Sequence, residues 1–184
     1  MSTLTTAATL NLNLSWSQSD PDAYNSSNTY TDAGTYSYNR NYSSGTGSTP
    51  AGYSVAGKLW HESRILNSGE TRIYSLTGLN TTIFSGSFYT SFNNVKTFYV
   101  ENLSTGVGQN ISVYATGTNG FSGIFNSQSG NYIVGPKSPF IFSNFLTGWA
   151  IYSGNSDLTI KDLGGVTGTG APSGCYIRIA IVGI

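Results

Sequence analysis

The residues with most chemical potential sit in Leu59-Trp60-His61-Glu62-Ser63-Arg64, which holds the chain's one histidine. A histidine near serines and a carboxylate could serve as the general base of a Ser–His–Asp triad. The chain has no G-x-S-x-G elbow to present a nucleophile, and the hexapeptide reads as strand. His61, Glu62 and Arg64 are therefore expected to be structural. They would fix the first strand of the body against a neighbouring strand or subunit, with His61 held by Glu62, Arg64 or a backbone carbonyl. Glycoside hydrolysis needs two convergent carboxylates. Glu62 with Glu70, or Asp157 with Asp162, could supply them, but no strand end gathers aromatics and carboxylates together. Zinc needs several His or Cys ligands, and His61 and Cys175 are one of each. Asp20-Pro21-Asp22 reads as a turn rather than part of a calcium loop. Lone Cys175 permits no intrachain disulfide and reads as a small buried hydrophobe opening the last strand. The expectation is no enzyme, no metal and no cofactor.

Composition points the same way. Charged residues make up 9% of the 184, with eight basic and eight acidic side chains, where soluble proteins average about 25%. Zero net charge argues against nucleic acid, which calls for a basic footprint, and offers nothing to an anionic membrane. The longest apolar run, Ile179 to Val182, is too short to span a bilayer. Met1-Ser2-Thr3-Leu4 lacks the basic start of a secretory signal, so synthesis in a cytoplasm without an export address is expected. Thirteen tyrosines and 23 glycines fit extracellular or virion β-proteins. Tyrosine combines a large apolar face with one hydrogen-bonding tip, which suits half-buried contacts.

The elements that must position these groups divide at residue 57. Residues 1–57 read as an extended polar-aromatic arm. Leu10, Leu12 and Leu14 alternate with polar residues up to Trp16, a period of two that predicts one exposed-edge strand. From Tyr24 to Tyr53 there are six tyrosines and no Ile, Leu, Val, Phe or Trp. Such a segment cannot pack a core alone. It is either a disordered tail or an arm ordered against a neighbouring subunit, and the tyrosines favour the second. Trp16, Tyr24, Tyr30, Tyr36, Tyr38, Tyr42 and Tyr53 are the expected partner contacts.

Residues 58–184 read as a single all-β body, a β-sandwich of jelly-roll type. Strands are expected at about 58–66, 71–76, 82–89, 95–102, 110–115, 132–134, 140–142 with 149–152, 158–161 and 175–182. Turn signals such as Asn67-Ser68-Gly69 and Thr118-Asn119-Gly120 separate them. Ser87–Asn94 is a weak helix candidate. The expected core is Trp60, Ile73, Phe98, Val100, Ile111, Val113, Trp149, Leu158, Ile160, Ile177, Ile179 and Ile181, with Arg178 on the opposite face of the last strand.

From Gly45 onward the chain resembles a family of small virion proteins of tailed bacteriophages, including cyanophages. The landmarks are Gly45-Thr46-Gly47, the Leu59–Arg64 hexapeptide followed by Leu66 and Gly69, Leu76-Thr77-Gly78, Val95-Lys96 and Asn110. Gly148-Trp149, Asp157-Leu158-Thr159-Ile160, Gly164-Gly165 and the strand Tyr176–Gly183 complete the series. The resemblance implies a structural virion protein, of the kind commonly encoded among head and tail genes; location on the outer surface of the phage head, after synthesis in the host cytoplasm, is the expectation. Within that class a capsid cement or decoration protein is expected, a homotrimer that clamps neighbouring major capsid subunits. A tail-tip or fibre-adaptor protein that binds a receptor, and a carbohydrate-binding β-sandwich, are the alternatives.

Overall fold

The computed structural model describes residues 8–21, 29–42, 56–83, 86–115, 117–125, 130–164 and 174–184. Among these residues there is no helix, and the chain is all-β. The body strands are β3 (Lys58–Asn67), β4 (Thr71–Ser75), β5 (Leu79–Ile83), β6 (Gly86–Thr90), β7 (Asn94–Asn102) and β8 (Ile111–Tyr114). They continue with β9 (Asn131–Val134), β10 (Ser138–Ser143), β11 (Trp149–Ala150), β12 (Asp157–Asp162) and β13 (Gly174–Gly183). One sheet runs β10-β7-β13-β3, with short β11 also on β7; the second runs β4-β12-β8-β9. All these strand pairs are antiparallel, and the connections nest. β3 pairs with β13, β4 with β12, β7 with β10 and β8 with β9.

Alternation decides which side chains meet. In the first sheet Trp60, Ile181, Phe98 and Phe142 form one cross-strand row, and Glu62, Ile179, Val100 and Phe140 the next. This face packs on Tyr74, Ile111, Val113, Leu158 and Ile160 of the second sheet, so the two layers make a β-sandwich. Trp60 and Tyr74 meet edge-on across the layers at 5.5 Å. Tyr132 bridges the layers at the other end, 4.8 Å from Phe140 and 5.5 Å from Phe142.

Most of the expected core is buried, but two residues are not. Ile73 is 57% exposed. Tyr74 and Leu158, directly opposed, take the inward positions of β4 and β12, so the period of two turns Ile73 outward. Trp149 is half-buried, packed edge-on against Phe142 at the margin of the core. The helix candidate Ser87–Asn94 is also corrected. Residues 86–90 are β6, which pairs with β5 in a separate hairpin, and β7 begins at Asn94. The expected single strand at 82–89 is thus two strands, 79–83 and 86–90.

Several glycines are required by the backbone, Gly69 and Gly183 among them. Gly69 turns β3 into β4 at φ 75°, a left-handed conformation that side chains with a Cβ disfavour. At Gly183 the register of β13 against β7 shifts, and an added Cβ would lie 2.1 Å from the Asn94 carbonyl oxygen.

The segment before the body is not the lone strand expected. β1 (Ala8–Pro21) and β2 (Thr29–Tyr42), 14 residues each, form a two-stranded antiparallel ribbon. The tyrosine-rich stretch supplies the second strand. Asp22 of the expected turn, Tyr24 and Tyr53 lie outside the described residues.

Candidate functional site

The ribbon is amphipathic by register. Leu10 pairs with Arg40, Leu12 with Tyr38, Leu14 with Tyr36 and Trp16 with Gly34, and Asp20 pairs with Tyr30. Directly opposed residues share a face. All three leucines therefore share one face with positions 16, 30, 36, 38 and 42, and with the charged positions Asp20, Asp32 and Arg40. The other face is built from Thr9, Asn11, Asn13, Ser15, Thr35, Ser37, Asn39 and Asn41. Polar pairs there knit the strands, with Thr9 donating to Asn41 at 3.1 Å and Ser15 and Thr35 hydroxyls 3.4 Å apart.

At its root the apolar face packs on the outer surface of the first sheet. Tyr42 is 3% exposed, 4.8 Å from the Phe145 ring and clustered with Ala56 and Val182. Its hydroxyl lies 2.6 Å from that of Thr97 and 3.4 Å from that of Ser143. Tyr42, expected to touch a partner, is thus a core residue of its own chain. The segment expected not to pack a core alone thus adds a residue to one, because a tilted ring and two hydroxyls close over the phenol. Beyond the root, Leu10, Leu12, Leu14 and Tyr38 face Ile141 and Ser143 across an open cleft of about 490 Å³. Exposure climbs along the ribbon to 38% at Leu12 and 65% at Leu14.

The outer face of the same sheet continues as a mixed surface. His61, Ala180, Tyr99 and Ile141 form one row, and Ser63, Arg178, Glu101 and Pro139 another. Ile65 and Tyr176 are opposed at the β3 side. Arg178 and Glu101 neutralise each other at 3.5 Å. Burial, the hydrogen bond to Glu101 and the charge of Glu101 together push the Tyr99 phenol up to about 12.

Strand parity splits the hexapeptide. His61 is exposed on the outer face, whereas Trp60, Glu62 and Arg64 are inward. Glu62 and Arg64 therefore cannot fix His61. They work on each other: Arg64 lies 3.6 Å from Glu62 and 3.5 Å from Glu70. Glu70 also accepts from the Asn67 backbone N–H at 2.8 Å, closing the β3–β4 turn. Burial, followed by the negative charge of Glu62, drives the Tyr74 phenol well above its ordinary pKa. The two carboxylates thus converge on one guanidinium. That arrangement is an ion-pair brace tying β3 to the β3–β4 turn, with one positive charge shared between two carboxylates. Asp157 and Asp162 alternate onto opposite sides of β12: Asp162 is buried and bonded to the Gly164 N–H at 2.6 Å, while Asp157 is partly exposed. Cys175 is buried, and burial pushes its thiol up to about 11. Among the described residues no three His, Cys, Asp or Glu side chains gather as a metal-holding group.

Tyr38 lines the cleft, and the side chains of Trp16, Tyr30 and Tyr36 lie outside the described ones. Sequence reasoning missed β2 and the apolar positions Ile65 and Tyr176. The signal for β2 was present: Tyr30, Tyr36, Tyr38 and Tyr42 all carry even numbers, as do Leu10, Leu12 and Leu14. In comparisons with protein-family models, curated proteins and solved structures, the chain matches none.

Proposed function

We propose that this chain is a structural virion protein of the cement or decoration type, a non-enzymatic homotrimer that clamps neighbouring major capsid subunits on the outside of a phage head. The observation that carries the reading is the ribbon, rooted on the body by Tyr42 and presenting a leucine- and tyrosine-bearing face that grows more exposed away from the root. A two-stranded ribbon alone is marginal in water. One with an apolar face gains stability by laying that face on another surface. The nested strand pairing supports the same reading. Pairing first with last and so inward, over a five-strand and a four-strand layer, is the order expected of a jelly roll, a fold common to viral capsid and lectin domains.

Fold alone hosts many functions, and the ribbon favours assembly over glycan capture. Its polar face consists of hydroxyls and amides, so wet, uncharged contacts suit it. Many weak contacts repeated over a shell add up through multivalency. Mass spectrometry and a density map of purified virions of the phage encoding the chain test the proposal. The expected result is regular density on the head shell. Absence from the particle removes the virion reading, and density confined to the tail tip favours the adaptor alternative.

A further inference from the structure

Resting on that reading, we infer that the ribbon is a strap that closes on its own body: in the free protein its leucine face shuts on the outer face of β10 and β7, and assembly opens it. The two walls of this contact stand on either side of one cleft. Leu10, Leu12, Leu14 and Tyr38 line it from the ribbon, and Ile141 and Ser143 line it from β10. The contact is already made at its root. Tyr42 is buried there against Val182 and Phe145, and its hydroxyl reaches those of Thr97 and Ser143. Closing the gap between two apolar walls releases the water between them, which favours the closed form.

The strand repeat says what meets what. Both walls advance about 7 Å for every two residues, so their rows can be matched outward from the root. Thr97 and Ser143, directly paired, lie under Tyr42. The next row out is Tyr99 with Ile141, then Glu101 with Pro139. On the ribbon, the rows beyond Tyr42 are Leu10 with Arg40, Leu12 with Tyr38 and Leu14 with Tyr36. Closure lays Leu10 on Ile141, and Leu12 on Pro139, which is exposed. Position 40, the basic one, comes down over β7 one row from the Glu101 carboxylate. β10 begins at Ser138, so Leu14 passes the end of the strand and stays open. Asp20 and Asp32 lie further out still and keep their water. The charged positions of the leucine face therefore do not oppose closure.

Closure and assembly compete for the same leucines. A closed strap hides Leu10 and Leu12 until a shell is met, which limits premature sticking of an open apolar face. Leu14 remains at the mouth as the first residue a neighbour touches. The contact is only a few side chains long, so it opens locally without unfolding the body. Only the open fraction docks, and the apparent affinity for a head falls by that fraction.

Thiol labelling of the free, full-length protein tests the closed form. Leu12→Cys and Leu14→Cys variants are treated with a maleimide. The wild type controls for buried Cys175, and circular dichroism checks folding. Position 12 should label about tenfold or more slowly than position 14, in proportion to the closed population. Ile141→Glu, or Pro139→Glu if the first variant misfolds, should bring the two rates together. Equal rates in the parent chain, or protection of position 12 that survives the glutamate, overturns the inference. A second arm locks the strap. Leu12→Cys with Pro139→Cys is joined within one chain by a short bismaleimide and mixed with heads lacking this protein. The locked chain should bind about tenfold or more weakly than the same variant left unlinked. Equally tight binding by the locked chain overturns the claim that assembly opens the strap. Protection of position 12 in a protein that binds no head leaves the closed strap standing while the cement reading fails. Equal labelling in a protein that decorates heads does the reverse.

Discussion

The ribbon and the body use the same local rule and reach opposite ends. In both, apolar and polar residues alternate with a period of two. In the body, two sheets turn their apolar faces toward each other, and Ile177, Ile179 and Ile181 vanish from solvent. The ribbon has no second layer of its own. Tyr42 finds one at the root, and Leu14 does not. The difference teaches that burial follows from what lies opposite a face, not from its pattern. We propose that the patterned face left open receives its second layer from another subunit.

Core truncation should widen the contrast most. Ile179→Ala removes a fully buried side chain and should cost about 2–5 kcal/mol in a denaturant titration. An unchanged midpoint would refute the assigned register. Next comes the brace. Arg64→Ala leaves Glu62 and Glu70 facing one another without their cation. Since these groups keep some solvent contact, the expected loss is about 1–3 kcal/mol rather than the full cost of a buried unpaired charge.

The hinge between the regions is smaller. Tyr42→Phe deletes the hydroxyl contacts with Thr97 and Ser143, about 1 kcal/mol. Hydrogen exchange should accelerate in β1 and β2 while β7 and β13 stay protected. Uniform acceleration would mean that the two regions unfold as one unit.

Alkali probes the outer face. Tyr99 is raised from the ordinary 10 to about 12 in the folded state, so its neutral form is favoured there. The associated stability is complete below pH 10 and falls as pH rises from about 10 to 12, because the unfolded chain ionises first. Phenolate absorbance should show one late-titrating tyrosine shifted toward lower pH in Glu101→Gln, whose side chain no longer carries the charge, while burial keeps it above the ordinary value. Smallest of all, Leu14→Ser should shift stability by less than about 0.5 kcal/mol, as for exposed positions elsewhere. Its effect should appear in assembly alone.

Much of this was legible in the residues, and the misses share a cause. Most strands after residue 58, the inward isoleucines of β13 and the outward Arg178 follow from alternation bounded by turns. Ile73 misled because β4 is short and both of its parities hold a large side chain, Tyr74 as well as Ile73. Only the partner strand β12 chooses between them. The β2 strand was hidden by composition, since tyrosine, serine and asparagine read as polar filler when counted and as an amphipathic strand when numbered. For His61, parity alone was enough to separate it from Glu62 and Arg64. The Arg64 brace was not legible, because Glu70 approaches through the β3–β4 turn, whose course sequence does not place.

The central claim is that the ribbon's leucine face lies against another subunit when the protein is assembled. A density map of the assembled particle, resolved well enough to trace β1 and β2, tests it most directly. The account predicts Leu12 and Leu14 covered by a neighbouring chain, with each ribbon leaving its own body at Tyr42. A map in which the ribbon keeps its leucine face open to solvent, or folds it back over its own β3, would contradict it.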